Sequence, residues 1–157
     1  MIKKDFKSNS KGFVSLNELK KSPSYPTEDR YRKGPVVVVE CIEEIPCNPC
    51  ETACSKKSIK VGAPITNLPV LVNENSCNGC GSCIIKCPGL AVFVIDKTYS
   101  ENEATISLPC ELLPLPEKGM KITGLDRRGK EICHGKIIKV LSGKAFNHTN
   151  VVTITSP

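Results

Sequence analysis

Residues 77–88 read CNGCGSCIIKCP, a C-x2-C-x2-C-x3-C-P run made by Cys77, Cys80, Cys83, Cys87 and Pro88. That spacing is used to ligate cubane iron–sulfur clusters. Three closely spaced thiols wrap three corners of a cube, and Gly79 and Gly81 keep backbone amides close to the sulfides. The fourth cysteine sits too far round to reach the same cube, and in two-cluster proteins it ligates the other one. The run therefore predicts a twin.

The twin lies upstream in altered form, as Cys41, Cys47, Cys50 and Cys54 in a C-x5-C-x2-C-x3-C series. Glu44 stands where the ordinary spacing puts the first cysteine, and Ser55 where a proline normally follows the last. Cys41 is expected to supply the missing corner through a longer loop, Ile42 to Pro46, stiffened by Pro46 and Pro49. The assignment is then reciprocal. Cys41, Cys47, Cys50 and Cys87 hold one [4Fe-4S] cluster, and Cys77, Cys80, Cys83 and Cys54 hold the second. A three-iron cluster, or none, at the altered site stays open as an alternative. Zinc would need closed sets of four and would leave cysteines of each run surplus. Cluster binding of this kind is also folding free energy, so the metal-free chain should fold poorly. Cys110 and Cys133 lie outside both runs and receive no role.

Working outward, the cysteine runs sit inside a repeat of strand, cysteine loop, helix and strand. Val36 to Val39 reads as a buried strand, Cys41 to Lys57 as cysteine loop and short helix, and Ser58 to Val61 as a second strand. Gly62 to Pro69 reads as an inserted loop. Val70 to Val72, Cys77 to Cys87 and Ala91 to Asp96 repeat the pattern, and Ala104 to Leu108 can pair with the last strand as a hairpin. The predicted class is α+β, a pseudo-symmetric two-cluster fold in residues 36–108. Residues 1–35 are expected as a basic extended arm, with a short helix capped by Ser15 and Glu18. Residues 109–157 are expected as a proline-rich linker and a small β appendage of three strands, Met120 to Leu125, Glu131 to Leu141 and Val151 to Thr155. So small a unit should dock on the cysteine domain or on a partner.

Composition narrows the function classes. Ten cysteines in 157 residues, behind an amino terminus that lacks the apolar segment of a secretory signal, point to metal ligation in a cytoplasmic protein. No apolar run approaches the roughly 20 residues a membrane span needs. Residues 1–35 hold nine basic and four acidic side chains, which is +5 of the total +6, so the body of the chain is near neutral. Those charges could neutralise phosphates, but Phe6, Phe13, Tyr25 and Tyr31 show no stacking pattern, and nucleic acid is disfavoured. His134 and His148 have no triad-like neighbours, and no P-loop, G-x-G-x-x-G or HExxH occurs. The cluster Lys56, Lys57 and Lys60 reads as a solvated helix end or a docking patch.

Residues 36–96 resemble the bacterial 2[4Fe-4S] ferredoxin family. VECIEEIPCNPCETAC (Val39 to Cys54), SCNGCGSCIIKCPGLAVFVID (Ser76 to Asp96), ELLPLPEKG (Glu111 to Gly119) and LDRRGK (Leu125 to Lys130) are similar to a narrower group. That group comprises the ferredoxin-type subunits of multisubunit FAD-dependent proline, hydroxyproline and D-amino-acid dehydrogenase complexes. The resemblance implies Cys41 as a ligand, two [4Fe-4S] clusters, and FAD or FMN on partner subunits only. It also implies a non-catalytic subunit relaying single electrons between flavin centres, with flavin-dependent dehydrogenase subunits as partners. A freely diffusing low-potential ferredoxin and a nucleic-acid-binding protein with structural clusters are the alternatives.

Overall fold

The computed structural model describes residues 13–146 and 149–157. The fold is mostly β, with short helices. Six strands form one antiparallel sheet in the order β1-β4-β5-β8-β7-β6, and β2 and β3 form a separate pair. The strands are β1 (Val36–Val39), β2 (Ile59–Lys60), β3 (Val70–Leu71), β4 (Val92–Asp96), β5 (Ala104–Cys110), β6 (Lys121–Leu125), β7 (Glu131–Leu141) and β8 (Asn150–Ser156). Among the described residues the α-helices are α1 (Leu16–Leu19), α2 (Glu28–Tyr31) and α3 (Pro49–Ala53).

The expected repeat is visible in the pairing. The outer strands of the two halves, β1 and β4, pair with Val36 opposite Ile95 and Val39 opposite Val92, while the inner strands pair with Ile59 opposite Leu71. The predicted α+β class needs correction, because helix is scarce. The first cysteine run carries the five-residue α3, with Pro49 at its start, but Ser82 to Lys86 in the second run form successive turns. There Ile84 N–H donates to Gly81 O and Cys87 N–H to Ile84 O, three-residue spacings that stop short of an α-helical ladder.

All four valines of β1 are buried, and the reason lies on both faces. Val37 and Val39 join Cys50, Ile59, Cys83, Ile84, Val92 and Val94 in the main core. Val36 and Val38 pack with Tyr31 on the other side. Strand alternation sends successive side chains to opposite faces, so a four-valine strand stays dry only if something covers the second face. Residues from the N-terminal segment do so.

The extended-arm expectation therefore fails for residues 13–35. Ser15 caps α1 through a reciprocal box with Glu18, as the sequence predicts, and Leu19 and Tyr31 are fully buried. Ser24 Oγ donates to Val39 O at 2.6 Å, and Leu71 N–H to Pro23 O at 3.0 Å, which pins the segment to both halves. Arg30, counted from sequence as one charge of a basic tail, is 4% exposed. Its guanidinium donates to Glu74 O (2.7 Å), Gly34 O (3.0 Å), Pro35 O (2.7 Å) and Cys77 O (2.6 Å). Four carbonyls satisfy a buried cation that has no carboxylate partner among these contacts. The Glu74 carboxylate in turn accepts from Thr27 N–H and Oγ1. The N-terminal segment thus holds the entrance of the second cysteine loop. Residues 1–12 and His148 lie outside the described residues.

Residues 109–157 extend the same sheet. β8 pairs with β5 along its length, from Ala104 opposite Ser156 to Cys110 opposite Asn150, and β7 then β6 continue outward. The β6–β7 turn folds back over the sheet, where Arg127 pairs with Glu40 and Arg128 lies over the Phe13 ring.

Candidate iron–sulfur centres

The eight cysteines of the two runs fall into two groups of four, each drawing members from both halves. Cys54, Cys77, Cys80 and Cys83 line one small enclosed cavity, with Val37, Ile59 and Val94 among its apolar walls. Burial first, and then the neighbouring Cys77, Cys80 and Cys54, push the Cys83 thiol up to about 12. In the other group, burial pushes Cys50 up to about 11, with Cys87, Cys41 and Cys47 adding to the rise. Burial also raises Cys41, with Cys87 and Cys47 contributing. The thiols of each group thus oppose one another's ionisation, a repulsion that a cationic centre bound among them would reverse.

Local backbone is alike at the fourth cysteine of each run. Cys54 Sγ accepts the N–H of Ser58 at 3.2 Å, and Cys87 Sγ accepts the N–H of Ala91 at 3.4 Å. The offset is four residues in both. Each turn closes at the third residue, with Lys57 N–H donating to Cys54 O and Leu90 N–H to Cys87 O. Lys57 and Leu90 both adopt φ 51°, and they are the two non-glycine residues with positive φ among the described residues. A left-handed residue turns the chain so that the next amide faces the sulfur. Burial opposes the Cys54 thiolate, but N–H groups from Ser58 and Ile59 outweigh it and lower the thiol below its usual range. Sequence reasoning missed both positions, since neither carries the glycine that ordinarily marks such a turn.

Gly79 has φ +67° and sits where a Cβ would lie 2.5 Å from Pro35 Cβ. It is required for the close approach of the second loop to the start of β1. The first loop is wider, and Glu43 to Pro46 are exposed. Cys47 N–H donates to Ile65 O at 3.2 Å, joining this loop to the inserted segment after β2. Glu51 on α3 accepts from Val61 and Gly62 N–H at 2.7 and 2.9 Å and pairs with Lys60 at 2.6 Å. These contacts, the Lys60 hydrogen bond first, hold its carboxyl down to about 2.

The remaining candidates stay apart from both groups. Cys110 and Cys133 lie on β5 and β7, with Cys133 Sγ 3.5 Å from Ser156 Oγ. His134 Nδ1 is 3.5 Å from Thr123 Oγ1 on the exposed side of the β6–β7 hairpin. Among the described residues, no group of His, Cys, Asp or Glu converges tightly enough for a single metal ion. Two sets of thiols without nitrogen or oxygen ligands fit iron–sulfur clusters, whose irons take thiolate sulfur at separate corners. Among the described residues no helix is long and apolar enough to cross a membrane.

Comparison with known proteins agrees with this chemistry for the second run. Residues 70–93, which contain Cys77, Cys80, Cys83 and Cys87, match the family described as 4Fe-4S binding domain. Neither the curated proteins nor the solved structures contain a match to this chain. The chain thus carries a cysteine-rich segment similar to 4Fe-4S binding domains, set in a mostly β fold.

Proposed function

We propose that this chain relays single electrons through two [4Fe-4S] clusters, as a subunit working between flavin centres of an amino-acid dehydrogenase complex. The observation that carries the two-cluster reading is the grouping of thiols across the halves: Cys54 with Cys77, Cys80 and Cys83, and Cys87 with Cys41, Cys47 and Cys50. In this reading Cys41, Cys47, Cys50 and Cys87 hold the first cluster, and Cys77, Cys80, Cys83 and Cys54 the second. Each bound cluster takes up and releases one electron at a time.

The chain's own residues do the rest. Val37, Ile59, Ile84, Val92 and Val94 exclude water around the thiols. Ser58 and Ala91 N–H groups donate to sulfur, an interaction that raises reduction potential by stabilising added negative charge. Bond-making chemistry belongs to the flavin partners. Support for the dehydrogenase partner comes from the resemblance at Val39 to Cys54, Ser76 to Asp96, Glu111 to Gly119 and Leu125 to Lys130. It also comes from Leu112 and Leu113, which stand 76% and 82% exposed on the proline-rich linker, as expected of a segment that is covered in a larger assembly.

The test is iron, acid-labile sulfide and zinc per chain on anaerobically purified protein, with an EPR spectrum after reduction. About eight irons and the broadened signal of two interacting cubanes support the reading. About four irons, or a three-iron signal before reduction, removes one step of the relay. Gentle isolation of the native protein should bring flavoproteins with it; a chain recovered only as a monomer argues for a freely diffusing ferredoxin.

A further inference from the structure

Two segments depart from the repeat: the lengthened loop between Cys41 and Cys47, and the insertion between β2 and β3. They are built against each other. The Cys47 N–H to Ile65 O bond joins them, the Glu51 carboxylate grips the start of the insertion at Val61 and Gly62, and Asn67 Nδ2 donates to Val61 O at 3.2 Å inside it. At this junction each loop displays an isoleucine, Ile45 at 45% and Ile65 at 46% exposed. A solvated linker needs neither the bracing nor the apolar tips. Glu43 and Glu44, both exposed, flank Ile45, and neither takes part in an ion pair among the described residues. Cys41 Sγ lies 4.0 Å from Glu43 O, so the stretch that carries both carboxylates begins at the first cysteine group.

We propose that these two loops form the docking face for a redox protein that meets the first cluster with an apolar patch rimmed by lysine or arginine. The inference rests on the electron-relay reading above. An apolar centre with a charged rim is the anatomy of a transient interface, and the unpaired carboxylates fix the sign of the complementary rim. The lengthened loop and the insertion then share one role: they widen the surface over the cluster and present its contact points rigidly.

The experiment uses the full chain, reduced with dithionite under anaerobic conditions, with oxidised cytochrome c as a basic haem-protein acceptor and ferricyanide as a small anionic one. One electron leaves the reduced protein and converts ferric haem to ferrous. Three variants are compared with the unaltered chain: Ile45→Ser with Ile65→Ser, Glu43→Gln with Glu44→Gln, and Lys121→Gln as a control on β6, at the opposite edge of the sheet from β1. Iron content and reduced EPR spectra are recorded for each. The expected result is a roughly tenfold slower second-order reaction with cytochrome c for the first two pairs, the carboxylate effect fading at high salt. The isoleucine pair should leave ferricyanide reduction unchanged, and the control should leave both unchanged. Fully loaded variants that reduce cytochrome c at the unaltered rate overturn the docking face and leave the relay standing. An unaltered chain that reduces ferricyanide but not cytochrome c overturns it as well. A chain without clusters that reduces neither acceptor fails the relay reading itself.

Discussion

The two cysteine halves agree in the parts that face sulfur and differ in the parts that face solvent. In both, the fourth cysteine of the run is followed three residues later by a left-handed residue and four residues later by an amide on its sulfur. Around the other three cysteines the halves diverge. The second loop is tight, closed against Pro35 by Gly79, and gripped through Cys77 O by Arg30. The first is wide, acidic and tied to an insertion through Cys47. Symmetry therefore survives in the turns that bring an amide onto sulfur.

The most severe way to break the comparison is to remove the crossing cysteines. In the crossed arrangement, Cys87→Ser damages the cluster held by Cys41, Cys47 and Cys50, although Cys87 belongs to the other run. Cys87→Ser combined with Cys41→Ser should then disturb no more clusters than Cys87→Ser alone, while Cys87→Ser combined with Cys54→Ser should disturb both. Iron content and EPR read the outcome. If Cys87→Ser with Cys77→Ser behaves as a single-site lesion instead, the fourth cysteines are not exchanged.

The next largest effect is expected at Arg30. Arg30→Ala strands four buried or part-buried carbonyl contacts, each made by a charged donor, and should cost roughly 3 kcal/mol or more. For a chain of this size that lowers the unfolding midpoint by about 6–12 °C. Arg30→Lys should rescue little, because a single ammonium cannot span acceptors that a planar guanidinium reaches. A midpoint within a degree of the unaltered chain would sink the claim that residues 13–35 hold the second loop.

These two regions also mark how much could be read before folding. The second run specified its own chemistry, because cysteine spacing and a following proline constrain a loop strongly. The valine run, the capping box at Ser15, and the β4–β5 and β6–β7 hairpins were legible for a similar reason, since each signal is local. The role of Arg30 was not, because its acceptors Glu74 and Cys77 lie more than forty positions away and a basic residue among others reads as tail. The single sheet was half legible. Its strands were predicted, but nothing local says that β8 pairs with β5 so that β7 and β6 continue the sheet of the cysteine fold. Helix in the second run was overestimated, since its turns advance by three residues and Gly79 and Gly81 take positive φ.

A smaller and sharper probe of the symmetry is the pair of left-handed residues. Lys57→Gly and Leu90→Gly each remove the Cβ penalty of that conformation, and each should stabilise by about 1 kcal/mol. The prediction is one of equality: both midpoints rise by about 3 °C. A rise at one site only would mean that the two turns, alike in backbone, are held by different forces.

The mildest effect concerns Glu51, which braces the insertion in the first half. Its carboxyl is held at about 2 in the folded chain, against an ordinary 4.5, first by the Lys60 hydrogen bond and then by Gly62 and Val61 N–H. A depressed carboxyl contributes stability that is complete above the ordinary value and is lost as pH falls toward the folded one. The urea midpoint difference between the unaltered chain and Glu51→Gln should therefore stay flat from pH 8 to 5.5, where the clusters can still be kept. A difference that instead grows as pH falls through that window would place the folded carboxyl above its ordinary value. The inserted loop would then be held by its own turns, and the anchor that makes the first half rigid would have to be sought at Cys47 and Ile65 alone.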